Sequence, residues 1–314
     1  MRGVDMNYKD QIIAHPTPAY YFKQKKIKEN YNAYKERLPF FTVYYSMKAN
    51  GEEAVLKALH GLADGIEVAN KEEFALAEKA GFSGGKIICS APIKSIDCIT
   101  YMYERGCRYF VYDTLLEFQK LQIYAPKSKK IMRIYISDID KTFIEFGSDY
   151  HDAIQTMPDG LTIHMSSHSN HLLCRVFDRI DKAMGLLYPL MSSSSQFIIN
   201  LGGGYLLEHP KEYYEEIKGY CLSRMKHYPL EFQWIIEPGG GMVESAVNFV
   251  CRVENLKKKN NINYVYINGG ISEGMQVKHG AIKNLTNSQV TRWRNIYVFF
   301  DTTCLHQRLF IYAD

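Results

Sequence analysis

Short apolar runs alternate with longer stretches of mixed polarity along most of the chain. Eight runs of five or six residues are rich in β-branched and aromatic side chains, and each predicts a strand. They are TVYYS (42–46), GIEVA (65–69), KIICS (86–90), YFVYD (109–113), IMRIYI (131–136), LTIHM (161–165), FIINL (197–201) and QWIIE (233–237).

The stretches between these runs have the period of an α-helix. In the segment after the first run, Val55, Leu59 and Leu62 lie on one helical face. Apolar strands that alternate with amphipathic helices form a parallel sheet covered by helices. Eight such units predict an α/β fold with a closed (β/α)8 TIM barrel. An open doubly wound sheet is the alternative, but the GxGxxG turn typical of its first strand is missing.

The two chain ends differ from the middle. TPAYYF (17–22) precedes the first helix as an isolated strand, and NFVCRVENL (248–256) and NYVYINGG (263–270) follow the eighth strand. Strands without intervening helices indicate antiparallel pairing. We therefore expect a partial, truncated antiparallel β domain formed by both chain ends. The predicted domains are an N-terminal strand (1–24), a barrel (25–245) and a partial C-terminal β domain (246–314).

Composition limits the possible partners. The 314 residues are 46% hydrophobic, which is enough for a large core, and the formal net charge of +4 is spread along the chain rather than clustered as nucleic-acid binding requires. The seven cysteines form no CxxC pair, which favours reduced thiols and no metal site. No apolar run has the length of a membrane span, and the N-terminus has no signal-peptide core. The expected protein is cytoplasmic and binds neither nucleic acid nor membrane.

Residues with a possible chemical role lie at the ends of all eight predicted strands. In a barrel these carboxyl ends meet at one face, where the active site forms. The residues are Lys48, Glu67, Cys89, Asp113, Arg133, His164, the three glycines Gly202, Gly203 and Gly204, and Glu237. A lysine, a histidine, a glycine-rich turn and a glutamate at one face predict a common site.

Pyridoxal 5'-phosphate is a ligand for which each of these groups has a use. The amine of Lys48 can form a Schiff base with the cofactor aldehyde. The glycine turn lets backbone N–H groups approach a phosphate. Glu237 can hold the ring nitrogen protonated, and His164 can stack on the ring. We also assign Arg133 to cofactor binding.

Structural interpretations of the same residues stay open. A lysine after a strand usually extends into solvent, a triple glycine can be a simple turn, and a histidine in an apolar strand is more often hydrogen-bonded in the core. Asp113 and Glu67 can serve as charges at helix N-termini, which is the interpretation favoured for Asp113. Cys89 is expected to be a small buried hydrophobe.

Several motifs resemble the fold-type III pyridoxal-phosphate enzymes. These are the ornithine, arginine and diaminopimelate decarboxylases and, more remotely, alanine racemase. The segments YYSMKAN, GIEVANKEEFALAEKAG, CSAPIK, YFVYDTLLEFQKL, IHMSSHS, INLGGGY and IIEPGGG follow in the family's order. The resemblance extends from Thr17 to about Cys304 and is closest to the decarboxylases.

The resemblance implies a role for individual residues. Lys48 is the Schiff-base lysine, His164 is the ring-stacking histidine, Ser167 and the triple glycine bind the phosphate, and Glu237 pairs with the pyridine nitrogen. Cys304, in DTTCLHQR, corresponds to a cysteine that acts from the neighbouring subunit of a homodimer. The implied catalytic residues are Lys48, His164 and Cys304.

Three cofactor positions depart from the family's pattern. Gly240 stands where the EPGR motif has a phosphate-binding arginine, Asn200 replaces the aspartate before the triple glycine, and Glu145 replaces the basic residue of a KFG motif. The chain also ends at IYAD, before a tyrosine that contacts the phosphate in the family. We therefore expect a fragment, a complementing chain or an incomplete site.

The residues after the cysteine indicate an unusual substrate. Leu305 stands where decarboxylases of basic amino acids have an acidic residue, and His306 and Arg308 follow as substrate-binding candidates. A cation there suits a carboxylate or phosphate. The prediction is decarboxylation of an amino acid or conjugated amino acid that is not basic. The alternatives are an inactive homologue that binds or regulates a partner, and an amino-acid racemase. The chain also resembles the decarboxylase part of microcin C-type biosynthetic proteins, which implies an attached aspartyl group as substrate.

Overall fold

The structure is a computed structural model that describes residues 12–136, 145–165, 170–192, 196–270, 296–302 and 308–312. The strands in these ranges are β1 (Ala19–Phe22), β2 (Phe41–Ser46), β3 (Gly65–Val68), β4 (Ile87–Cys89), β5 (Tyr109–Tyr112), β6 (Lys129–Arg133), β7 (Gly160–Thr162), β8 (Gln196–Asn200), β9 (Glu231–Ile236), β10 (Val247–Val250), β11 (Val253–Lys259), β12 (Ile262–Ile267), β13 (Ile296–Asp301) and β14 (Arg308–Tyr312). The α-helices are Gln24–Arg37, Glu53–Leu59, Lys71–Lys79, Ile96–Glu104, Leu115–Tyr124, Ala153–Thr156, Asn170–Leu187, Lys211–His227 and Gly240–Val243.

Strands β2 to β9 form a closed parallel barrel, and helices connect the strands. Closure is made by β2, which pairs with β3 on one side and with β9 on the other. All eight predicted strands are present, with ends that differ by a few residues, and the predicted (β/α)8 barrel is confirmed. The carboxyl ends of the strands therefore lie at one face of the barrel, as parallel pairing requires.

A buried apolar cluster holds the barrel together. It contains Tyr44, Ile88, Val111, Ile131, Ile198 and Ile235, which come from six different strands. Full burial of each of these side chains contributes roughly 1.5–3 kcal/mol. Two strands begin with glycine because their neighbours are large: a Cβ on Gly65 would lie 2.3 Å from the Tyr44 ring, and a Cβ on Gly160 would lie 2.5 Å from the Ile198 Cβ.

Side-chain caps fix the start of three helices just beyond strands. Asn70 accepts a hydrogen bond from the Glu73 backbone N–H at 2.8 Å, and Ser95 accepts one from that of Cys98 at 3.1 Å. Thr114 does the same for the helix that follows β5. A cap of this kind stabilises a helix by about 1 kcal/mol. The helices therefore start at defined distances from the barrel face that carries the strand ends.

The remaining described residues, before 24 and after 246, form a second compact unit, and the barrel unit is Gln24–Ala246. In the second unit β1 pairs antiparallel with β10, so both chain ends share one small sheet. A four-stranded sheet has the order β11-β12-β13-β14. The Asn268 amide donates hydrogen bonds to the Thr17 carbonyl and hydroxyl, each at 2.9 Å, and joins the same two chain ends.

The predicted antiparallel β domain is confirmed with one difference in strand direction. Strands β12 and β13 pair in parallel, although the other pairs of the four-stranded sheet are antiparallel. A parallel pair needs a long crossover connection, and the chain between Ile267 and Ile296 is long enough to provide one. Val265, Ile267 and Phe299 form the buried cluster of this sheet.

Candidate active site

Lys48 lies in a single turn, Met47–Ala49, immediately after β2, and its side chain is exposed. The turn is packed closely against the end of β9. The Ser46 N–H donates to the Pro238 carbonyl at 3.2 Å. A Cβ on Gly239 would lie only 2.9 Å from the Ala49 Cβ, so glycine is needed for this approach. The lysine is therefore held at the barrel mouth beside the turn that follows Glu237.

Glu67 is a buried carboxylic acid of the same face. The Ser46 hydroxyl donates to Glu67 Oε2 at 2.5 Å, and the residue is 3% exposed. Burial, and after it the negative charge of Glu237, raise the pKa of Glu67 to about 8, although the positive charge of Lys48 and the hydrogen bond from Ser46 act in the opposite direction. Glu67 is therefore protonated at neutral pH, and it is not a helix N-terminal charge.

Glu237 is the centre of a hydrogen-bond network. It follows β9 and is 1% exposed. Its Oε1 accepts two hydrogen bonds, each of 2.7 Å, from the Ser90 hydroxyl and the Asn200 amide. Its Oε2 lies 3.9 Å from Nδ1 of His164, whose side chain is 15% exposed. Glutamate and histidine thus meet at the strand ends, although they are far apart in sequence.

The triple glycine forms a turn that other residues would strain. Gly202 and Gly204 have φ angles of 69° and 91°, in the left-handed region. A Cβ on Gly202 would lie 2.6 Å from the Ile163 carbonyl oxygen, and one on Gly203 would lie 2.9 Å from that of Glu237. The Glu237 N–H donates to the Gly202 carbonyl at 2.7 Å. The turn is therefore joined directly to the glutamate.

Arg133 ends β6, and its guanidinium carbon lies 4.9 Å from the centre of the Phe146 ring. Burial lowers the pKa of Arg133, and the nearby charges of Glu237, Asp113 and Glu145 oppose that shift, in this order. The arginine is thus a half-buried cation that acts electrostatically on Glu237.

Two predictions about strand-end residues have different outcomes. Asp113 directly precedes Thr114, which caps the helix that follows, and the Asp113 carboxylate accepts a hydrogen bond from the Gly147 N–H at 3.1 Å. Its role as a helix N-terminal charge stays a prediction. Cys89 is fully buried, as predicted, and burial raises the pKa of its thiol.

Four predicted site residues are not described at the side-chain level. Ser167, Cys304 and His306 lie outside the described residues, and Arg308 begins β14 with only its backbone described. Their predicted roles stay predictions.

Sequence reasoning missed the functions of Ser90 and Asn200. Ser90 directly follows β4, in the position where strand-end chemistry is expected, one residue after the predicted Cys89. Asn200 was noted only as a replacement. A polar residue at every strand end is a signal that would have identified Ser90.

These residues fit pyridoxal phosphate. They supply an accessible amine, a buried carboxylate, an imidazole next to it, and a glycine turn with backbone N–H groups. Gly240 supplies no cation for the phosphate; the nearest atom to a Cβ at this position would be Glu244 Oε2, at 3.9 Å. Among the described residues no group of three or more His, Cys, Asp or Glu side chains could hold a metal ion. No helix in the described ranges is long and apolar enough to cross a membrane.

The fold and this residue set define a pyridoxal-binding barrel. Residues 24–244 match the sequence model of a protein family, that of the pyridoxal binding domain of pyridoxal-dependent decarboxylases. The chain therefore belongs to this family, and its cofactor is pyridoxal phosphate. The predicted family and cofactor are confirmed.

Curated relatives are decarboxylases of several substrates. The lysine/ornithine decarboxylase of Selenomonas ruminantium is 23% identical over 275 residues, which are 82% of this chain and 69% of that protein. The diaminopimelate decarboxylase of Neisseria meningitidis is 24% identical over 289 residues, 84% of this chain and 70% of the relative. Decarboxylase flvG of Aspergillus flavus is 21% identical over 262 residues, 77% of this chain but only 61% of the relative's length.

Solved structures share the fold at low sequence identity. The arginine decarboxylase of Paramecium bursaria Chlorella virus superimposes with a TM-score of 0.81 at 18% identity, over 97% of this chain and 88% of that one. The diaminopimelate decarboxylase of Helicobacter pylori, complexed with L-lysine, has a TM-score of 0.81 at 20% identity, over 98% and 85% of the two chains.

Proposed function

We propose that this chain is a pyridoxal-phosphate-dependent carboxy-lyase that removes the α-carboxylate of an amino acid or amino-acid conjugate. The observation that carries the proposal is the buried Glu237, which lies between two hydrogen-bond donors and His164 at the carboxyl ends of the barrel strands. Membership of the decarboxylase family supports the reaction type.

Each residue of the site has a distinct task. The exposed amine of Lys48 would hold the cofactor covalently through its aldehyde. When bound, pyridoxal phosphate accepts the electron pair released with the α-carboxylate. Glu237 would hold the proton on the ring nitrogen, and His164 would cover the ring. The Gly202 N–H already donates to Asn200 Oδ1, so the glycine turn would bind the phosphate through the backbone that follows Gly202.

A proton donor for the product carbon comes from a second subunit in this proposal. Cys304 takes that role across a homodimer interface, in keeping with the family resemblance of DTTCLHQR. A Cys304→Ser variant is expected to retain the cofactor and lose most of its turnover. Co-expression of Cys304→Ser with Lys48→Ala tests the shared site, because only mixed dimers then contain one intact site.

The substrate is proposed to carry an acidic or bulky conjugated group. Leu305 supplies no negative charge for a distal ammonium, while Arg308 and His306 are candidates to bind an anionic group. The microcin C-type substrate with an attached aspartyl group stays a prediction of this kind. A steady-state screen compares ornithine, lysine and diaminopimelate with acidic and aspartyl-conjugated amino acids. Highest kcat/KM for a basic amino acid contradicts this part of the proposal.

The cofactor linkage is tested first. Purified protein with pyridoxal phosphate is expected to show a visible absorbance band, and borohydride reduction is expected to label Lys48 in a peptide map. Lys48→Ala should lack the band and the label. Lys57→Ala, which removes another exposed lysine and its ion pair with Glu53, is the matched control and should retain both. A folded wild-type protein without the band contradicts the proposal.

Product analysis separates the reaction types. Release of carbon dioxide supports decarboxylation, and inversion of the α-carbon without release supports a racemase. A non-catalytic binding protein is the second candidate, favoured by Gly240 in place of the phosphate-binding arginine. Cofactor bound at Lys48 without turnover of any tested amino acid would support that candidate.

A further inference from the structure

The orientation of the Asn200 side chain is determined by its two partners. Its Oδ1 accepts a hydrogen bond from the Gly202 N–H at 2.9 Å, so this end must be the carbonyl oxygen. The Nδ2 end must then donate to Glu237 Oε1, at 2.7 Å. Asn200 is 1% exposed. The asparagine thus joins the glycine turn to the carboxylate through a fixed donor.

Ser90 supplies the second donor to the same oxygen. Its hydroxyl lies 2.7 Å from Glu237 Oε1, and its backbone N–H donates to the Val68 carbonyl at 3.1 Å. Strand pairing therefore fixes the position of the hydroxyl. Because both donors hold Oε1, the rotation of the carboxylate is fixed, and Oε2 is the oxygen that faces His164.

Glu67 is the second buried carboxylic acid of the site, and its surroundings differ. Among the described residues, Glu67 accepts a side-chain hydrogen bond from the Ser46 hydroxyl, whereas Glu237 accepts two such bonds, from Ser90 and Asn200. The two acids interact electrostatically, and both are almost fully buried. Two buried carboxylates of one site cannot both be charged without a large cost, and Glu237 is the one of the two that receives two hydrogen bonds on a single oxygen.

We propose that Asn200 and Ser90 are positioning residues that fix the orientation of the Glu237 carboxylate and aim its Oε2 at the cofactor ring nitrogen. This inference rests on the proposed function. The inference explains why Asn200 stands where the family has an aspartate. An aspartate that accepted the hydrogen bond from the Gly202 N–H would place its second negative oxygen next to Glu237, where Asn200 places a donor.

The test uses three variants of the full chain loaded with pyridoxal phosphate labelled with ¹⁵N in the ring. Asn200→Asp keeps the bond from the Gly202 N–H and reverses the polarity towards Glu237. Ser90→Ala removes the other donor. Ser128→Ala is the matched control, because it removes another serine hydroxyl from the interior, one that donates to the Ala125 carbonyl away from the site. The ¹⁵N chemical shift reports protonation of the ring nitrogen, and equilibrium titration gives the Kd of the cofactor.

The wild type and Ser128→Ala are expected to show a protonated ring nitrogen and equal Kd. Ser90→Ala should raise the Kd about tenfold, the effect of one hydrogen bond to a charged group. Asn200→Asp should raise it by at least about tenfold as well and should move the ¹⁵N signal towards the unprotonated position at pH 7. A structural defect alone would lower the unfolding midpoint without changing the ¹⁵N shift.

Two outcomes overturn the inference, and they are distinct from each other. If Asn200→Asp and Ser90→Ala both bind the cofactor with wild-type Kd and ring protonation, the positioning role is refuted, while the proposed function stands. If the wild type does not bind pyridoxal phosphate at Lys48, the proposed function fails and this inference fails with it.

Discussion

The protonated state of Glu67 predicts an unusual dependence of stability on pH. The folded protein keeps a proton on Glu67 up to about pH 8, whereas the ordinary value of 4.5 applies to the unfolded chain. Between these pH values the folded state binds more protons, so the free energy of unfolding falls as pH rises. At about 1.4 kcal/mol for each pKa unit, the difference between 8 and 4.5 corresponds to up to about 5 kcal/mol.

Glu67→Gln removes this titration and keeps the size of the side chain. Its amide oxygen can still accept the hydrogen bond from Ser46. Between pH 5 and 8 the free energy of unfolding should fall less steeply with pH for the variant than for the wild type. The two slopes should differ by about 1.4 kcal/mol per pH unit. The variant should therefore be the more stable protein at pH 8 by several kcal/mol.

Urea unfolding of the cofactor-free proteins at several pH values measures this difference. Glu53→Gln is the matched control, because hydrogen bonds from Lys57 and Lys79 lower the pKa of this exposed carboxyl and its titration lies below the pH range used. Glu237→Gln should lower the pKa of Glu67 only in part, because burial is the larger cause of the shift. Parallel pH profiles for the wild type and Glu67→Gln would refute the reasoning.

Three further variants test the geometry. Gly202→Ala should destabilise the fold by at least about 2 kcal/mol because of its positive φ angle, while Gly85→Ala, with open space around it, should not; urea unfolding compares them. Lys94→Met should cost about 1–3 kcal/mol, because the buried Glu117 carboxylate loses Lys94 and keeps Lys120 as an ion-pair partner, and the double variant with Glu117→Leu should recover stability in the same assay. Gly240→Arg should lower the Kd of pyridoxal phosphate about tenfold by adding a cation for the phosphate, and an unchanged Kd in equilibrium titration would show that this position does not reach it.

The sequence by itself determined the barrel and the general position of its site. Eight apolar strands connected by helices are all buried when they form a closed parallel barrel. Parallel pairing then brings the carboxyl ends of all the strands to one face. Lys48, His164 and Glu237 could therefore be assigned to one site before any contact was known. Local periodicity also located the β-rich chain ends.

Only the tertiary structure determined the hydrogen bonds and the protonation within the site. Ser90 and Asn200 lie 147 and 37 positions from Glu237 in sequence, and their meeting on a single carboxylate oxygen depends on strand register and side-chain rotamers. The proton on Glu67 depends on burial and on the charge of Glu237, and the parallel pairing of β12 with β13 depends on a crossover. None of these is encoded in the spacing of apolar residues, because each arises from contacts between distant parts of the chain.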